Sequence, residues 1–293
     1  MPSLKDVKTQ ITGVKKTSQI TKAMNMVSAA KLRGAQQKME DFRPYAGKFN
    51  EALGSISGNM KSGEFALMEV RDVKTVELIV VTSDRGLCGS FNANIMSMAE
   101  KLMMKCEAEG KKVSLVCVGK KANQYFKKTG KVRQTYTDIM SNFQMFNARA
   151  IAQDVAANFM SGEADEVHLI YGSFKSVAVQ RPAQIPFLPV QSLEESETEA
   201  AESEKQSGDY LYEPSPEEIM NVLLPLYMNV MVYNAMLEVG ASEHAARMTA
   251  MDNATNACKD IVDNLTMIYN KARQAAITGD LMDIVGGAEA LKG

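Results

Sequence analysis

Leu4, Val7, Ile11, Val14, Ser18, Thr21, Asn25, Ser28, Leu32, Ala35, Met39 and Phe42 follow one another at spacings of three and four, and no proline falls between them. The same rhythm returns at the far end of the chain through Leu223, Leu226, Val230, Tyr233, Leu237, Gly240, His244, Arg247, Met251, Ala254, Cys258, Ile261, Leu265, Ile268, Ala272 and Ala275. Both are heptad seams. A 3.5-residue repeat held this long predicts a left-handed supercoil, and two seams at opposite ends of one chain pair antiparallel when the chain doubles back. At about 1.5 Å per residue the first helix would be roughly 80 Å long and the second up to about 110 Å, more than an ordinary globular domain holds. Ser18, Thr21, Asn25 and Ser28 in the first seam, and His244 and Arg247 in the second, put polar groups at core positions. Such groups cost stability. They are kept either to fix register or to make contacts outside the pair, and the sequence leaves both open.

Between the seams the period changes. Residues 76–81 (VELIVV), 113–118 (VSLVCV) and 166–171 (EVHLIY) are short apolar, β-branched runs, the first two followed by a turn and a helical stretch. Strands alternating with helices predict a mainly parallel α/β sheet. The stretch punctuated by Pro182, Pro186 and Pro189 suits an edge strand leaving that sheet. The expected organisation is a helix over 1–58, an α/β head over 70–190, a linker over 191–213 and a second helix over 214–293.

Charge sharpens this picture. The 293 residues carry a formal net charge of −2, yet residues 1–48 hold a local balance of +7 and residues 191–218 one of −9. The acidic run SLEESETEAAESEKQSGD lacks apolar periodicity and reads as a solvated linker. A nucleic-acid reading of the basic helix has little behind it, since no aromatic residue precedes Phe42 and no binding motif accompanies it. No run of 18 apolar residues is present to span a bilayer, and the first residues lack the marks of a signal or transit segment, so a cytosolic address is expected. Cys88, Cys106, Cys117 and Cys258 show no CxxC spacing and are expected as reduced core fillers.

The tempting chemistry is TSDRGLCGSFN at residues 82–92, which follows the first strand as a phosphate-cradling loop would. It matches neither GxGxxG nor GxxxxGK[ST], and a tight strand-to-helix turn freed by Gly86 and Gly89 accounts for it. The two histidines, His168 in a predicted strand and His244 on the long helix, are not placed beside a nucleophile. The chain is expected to be non-catalytic and to hold no cofactor or metal of its own.

Three separated blocks carry a resemblance: LKDVKTQITGVKKTSQITKAMNMVSAAKL, SDRGLCGSFN, and ASEHAARMTAMDNAT with YNKARQAAITGDLMDIVGGAEAL; DYLYEPSPEEI fits as well. Through them the chain resembles the gamma subunit of the bacterial F-type rotary ATP synthase, over essentially its whole length. That resemblance implies an α/β head with a long antiparallel coiled coil formed by the N- and C-terminal helices. It also implies a central rotor stalk that couples ion flow through a membrane ring to ATP synthesis or hydrolysis on the beta subunits. The implied partners are three alpha and three beta subunits, an epsilon subunit and the membrane c-ring, with no nucleic acid. The implied place is peripheral, on the cytoplasmic face of the bacterial inner membrane. Carried over residue by residue, Arg247, Gln274, Thr278, Lys22 and Met24 would contact a beta-subunit loop, and Ile284, Val285, Ala288 and Leu291 would form a tip turning in an apolar sleeve. Plant-type members carry a cysteine-containing insertion in the head; this chain has no Cys between Cys117 and Cys258, so thiol control of that kind is not expected. Two rival readings stand beside this one: a stand-alone nucleotide-binding α/β protein with its site near residues 83–89, and a static coiled-coil scaffold.

Overall fold

The computed structural model describes residues 3–57, 65–190 and 215–291; the predicted acidic linker lies outside them. Helix α1 runs Leu4–Ser57 and helix α5 Pro216–Ala290, with Pro44 and Pro225 inside them. Between them come β1 (Thr75–Val81), α2 (Phe91–Ala108), β2 (Lys112–Val118), α3 (Lys120–Phe126), β3 (Val132–Tyr136), α4 (Met145–Met160), β4 (Glu166–Phe174) and β5 (Gln180–Leu188). The chain forms two compact units, residues 1–29 with 247–293, and residues 30–246.

In the larger unit the strands form one sheet in the order β3-β2-β1-β4-β5. The β1–β2, β1–β4 and β2–β3 pairs are parallel, and β5 joins β4 antiparallel at the edge. Pro182 and Pro186 sit in β5, where an edge strand can give up ladder donors. β1 is central, flanked on both sides, and six of its seven residues are buried, the near-continuous apolar run expected of a strand covered on both faces. On one face Phe91 and Ile95 of α2 lie over Gly172 of β4. On the opposite pleat Glu77 meets Asn158 of α4.

The strand β3 is absent from the expectation above. Its five residues, VRQTY, are half-buried or exposed, so the edge position permits a polar pattern that hides the strand. A left-handed turn at Gly130 (φ 68°) starts it.

α5 lays Met220, Leu224, Met228, Val232, Ala235, Met236 and Val239 into the core of this unit. That face is offset from the predicted seam, and Leu226, a seam position, is 44% exposed. A sheet offers a broader apolar surface than a single helix, so it recruits residues on both sides of a heptad stripe. α5 also contains a stretch apolar and long enough to cross a membrane by composition; half of that stretch is buried inside the protein. Its apolarity serves the core. Also in this unit, Phe42 of α1 packs edge-on against Tyr233 of α5, ring centroids 4.9 Å apart.

The smaller unit is the antiparallel pair itself. Val7, Thr21 and Ser28 on α1, and Met251, Thr255 and Cys258 on α5, are buried along the seam. Distal seam positions fare worse: Ile261 and Ile268 are about half exposed, at 46% and 50%. Two helices cover only a narrow strip of each other.

Candidate functional site

Two of the four polar seam residues of α1 bond across the pair. Asn25 donates from Nδ2 to the Met248 carbonyl at 2.8 Å, and the Thr21 and Thr255 hydroxyls meet at 2.7 Å. Thr255 also lies 2.8 Å from the Met251 carbonyl. Thr21 Oγ1 likewise lies 3.1 Å from the Ser18 carbonyl; each hydroxyl has one proton to give, so one of the two gives its proton across the pair while the other gives its own to its own helix. A shift of one helical turn would break both contacts and take the Asn25 amide away from its carbonyl. Register control therefore explains Thr21 and Asn25, and Ser28 turns back to the Met24 carbonyl on its own helix.

The residues expected to contact a partner fall into two groups. Asn25 and Met248 stand at one level of the pair, so Lys22, Met24 and Arg247 lie within about a turn of it. Gln274 and Thr278, one turn apart from each other, are roughly 40 Å further along α5. Lys22, Gln274 and Thr278 are exposed and Met24 is half-buried. Arg247 is only 7% exposed.

α1 begins at Leu4, and the antiparallel register brings that end level with about residue 272 of α5. From residue 273 to 291 every residue of α5 is exposed. Ile277, Leu281, Ile284, Ala288 and Leu291 follow at alternating spacings of four and three, which places them on one helix face; Val285 flanks it. Ile284 is 69% exposed. The helix thus carries an apolar stripe with no intrachain cover among the described residues.

The turn at residues 82–92 uses its polar groups internally. Asp84 accepts backbone N–H bonds from Lys120 (2.9 Å), Asp138 (3.1 Å) and Met140 (2.9 Å). Ser83 and Asn92 bond each other, with Asn92 Nδ2 reaching Ser83 Oγ at 2.8 Å and Cys88 Sγ at 3.1 Å. Thr82 Oγ1 accepts from the Ala122 N–H at 2.9 Å, serving the first turn of α3. The left-handed residues are Gly89 (φ 58°) and, unexpectedly, Leu87 (φ 63°). Gly86, expected as a source of backbone freedom, is not one of them.

In an open α/β sheet, ligands bind beyond the carboxyl ends of the strands where strand order reverses. Here α5 closes that end. Glu238 accepts from the Phe174 N–H at 3.1 Å and Ser242 Oγ donates to the Gly172 carbonyl at 3.2 Å. His168 lies in β4 with its Nε2 3.0 Å from Glu166 Oε1; this histidine beside it is the main cause holding the Glu166 carboxyl below its ordinary value. The four cysteines are buried thiols, and burial pushes Cys117 up to about 12, far from the thiolate that reactivity needs.

What sequence reasoning missed is the crossing bonds of Thr21 and Asn25 and the capping of the sheet end by Glu238 and Ser242. A polar residue at a seam position was a signal for the first. Nothing in the sequence pointed to the second.

Comparison with known proteins supplies the context. A family model described as ATP synthase matches residues 3–291. A chain from Desulfotalea psychrophila named ATP synthase gamma chain is 68% identical over 292 residues, covering 100% of both chains. Its namesake from Nitratidesulfovibrio vulgaris is 52% identical, again over 100% of each. Among solved structures, a chain of the Tetrahymena thermophila mitochondrial ATP synthase central stalk and c-ring is 28% identical with a TM-score of 0.60, covering 80% of this chain and 99% of that one. A chain of the Euglena gracilis mitochondrial ATP synthase shares the fold at a TM-score of 0.67 and 22% identity, covering 98% and 94%.

Proposed function

The chain belongs to the ATP synthase gamma-chain family, and from that premise we propose how it does the work of a central stalk, the non-catalytic subunit that turns while the beta subunits carry the chemistry. Residues 1–58 and 214–293 serve as the shaft, 70–190 as the head and 191–213 as a linker. The shaft stands inside a ring of three alpha and three beta subunits. The head faces an epsilon subunit and a membrane c-ring on the cytoplasmic side of the inner membrane.

The observation that carries the shaft reading is the solitary end of α5, whose exposed apolar stripe reaches past the end of its partner helix. Exposed apolar stripes of this length mark interaction surfaces. Ile284, Val285, Ala288 and Leu291 form its last turns and would run in an apolar sleeve, where the lack of directional bonds lets one orientation slide into the next. Gln274 and Thr278, about 40 Å along α5 from Arg247, offer donors to one beta-subunit contact, and Lys22 and Met24 offer an ammonium and a thioether to a beta-subunit loop at their own level. Arg247 joins them by turning its guanidinium out of its packing toward a carboxylate or carbonyl. A pair of unlike helices has no three-fold symmetry, so each beta subunit meets a different face. Those contacts bias its nucleotide affinity only as far as they differ in free energy.

The test is to purify the complex from cells carrying the wild-type chain or Arg247→Ala and to measure native subunit content and coupled ATP turnover. One copy of this chain with three each of two ATPase-type subunits, and lowered turnover in the variant with unchanged subunit content, is the expected result. A static scaffold would assemble the same complex and leave turnover untouched. A monomer binding nucleotide by itself would return attention to residues 83–89.

A further inference from the structure

The face of the sheet under α4 holds a polar cluster that the shaft reading does not use. Glu77, at the third position of the central strand β1, is 0% exposed. Its Oε1 accepts from Arg133 Nε at 2.6 Å and from Asn158 Nδ2 at 3.3 Å. Arg133 reaches it from β3, across the whole of β2, while its other two nitrogens grip Asp154 of α4 at 3.1 and 2.7 Å. Directly in the path lies Ser114, the register partner of Glu77 in the parallel β1–β2 pair. Register partners project from the same face of a sheet, on strands about 4.8 Å apart. Glu77 Oε2 and Ser114 Oγ are both buried, and neither meets a hydrogen-bond partner among the described residues.

Two orphaned oxygens side by side are an unusual pair. Buried polar atoms are nearly always satisfied, and a carboxylate oxygen can be satisfied only by a donor. The serine hydroxyl has one proton, but it lies outside direct bonding geometry to Glu77. We infer that a buried water molecule bridges Glu77 Oε2 and Ser114 Oγ, donating to the carboxylate and accepting from the serine hydroxyl. Two to four polar partners are what an internal water requires, and such waters are retained as part of the structure. The bridge completes a chain of polar contacts from β1 through β2 to the polar edge strand β3 and to α4. It accounts for a serine and a glutamate facing each other in register on two neighbouring strands rich in apolar residues.

The test has two readouts on the full chain. A crystal structure at about 1.5 Å or better should show one ordered peak within hydrogen-bond distance of both oxygens, and water-17O magnetic relaxation dispersion should count one fewer long-lived internal water in Ser114→Val than in wild type. Ser114→Ala, which keeps the room but leaves the water with one partner, should lose the ordered peak on Glu77. Direct Glu77–Ser114 contact without a peak, the mark of a protonated carboxyl donating to the serine, overturns the inference. An unchanged count of long-lived waters in a folded Ser114→Val chain overturns it as well.

Discussion

Removing the guanidinium that faces Glu77 should destabilise the head in a pH-dependent way. Arg133→Ala deletes the Nε bond at 2.6 Å and both bonds to Asp154, leaving a carboxyl with no exposure and only the Asn158 amide as a side-chain donor. Breaking a buried ion pair by removing one partner costs about 3–5 kcal/mol. Arg133 is 29% exposed, so solvent screens part of the interaction and the low end, about 3 kcal/mol, is the expectation. For a unit of this size that is roughly 6–12 °C in Tm. Burial is the largest influence on Glu77 and holds its carboxyl above the ordinary 4.5, while Arg133 and Asn158 pull it down. The folded state thus binds this proton more tightly than the unfolded state. Its contribution to stability is fully present below about pH 4.5 and is lost as pH rises through the raised folded value. Without Arg133 the folded value climbs further, so the deficit should be largest near pH 8 and shrink toward pH 5 as Glu77 takes up a proton. Urea unfolding of wild type and variant at pH 5 and pH 8 measures this. A deficit below about 1 kcal/mol at pH 8, or equal deficits at both pH values, refutes the argument that an uncompensated Glu77 charge is the cause.

Gly172→Ala should cost about 1–3 kcal/mol, because a Cβ there would lie 2.3 Å from Phe91 Cε2 and 3.1 Å from Ile95 Cδ1; adding Phe91→Leu should recover part of the loss in the same melt, and an unaltered single mutant would mean the ring moves freely. A double-mutant cycle of Thr21→Val and Thr255→Val should give a coupling of about 0.5–1.5 kcal/mol from the 2.7 Å hydroxyl contact, and a coupling near zero would remove these threonines as register pins. Ile284→Asp should leave the isolated chain's stability within about 0.5 kcal/mol, since the site is 69% exposed. In the assembled complex the same change should lower ATP turnover, and full turnover would argue against an apolar sleeve.

Some of this was readable before any coordinates. The two helices and their antiparallel pairing follow from a heptad rhythm, because period alone decides which face of a helix seeks cover. The strands β1, β2 and β4 announce themselves as β-branched runs, since a central parallel strand must be apolar on both faces. The blocks LKDVKTQ, SDRGLCGSFN and ASEHAARM carry the family. Tertiary structure decided the rest. β3 is polar because an edge strand needs little burial, so it lacks any pattern that one segment could display. Leu226 left the seam because that turn of α5 gives its neighbour Leu224 to the core of the larger unit and turns Leu226 toward solvent. Glu238 and Ser242 close the carboxyl end of the sheet against residues some 64 to 70 positions away in sequence, and Arg133 finds Glu77 across an intervening strand. Periodicity reports what a segment wants from its surroundings; which distant group satisfies that want is fixed only when strands and helices are set side by side, because hydrogen bonds and ion pairs are matters of a few ångströms between residues far apart along the chain.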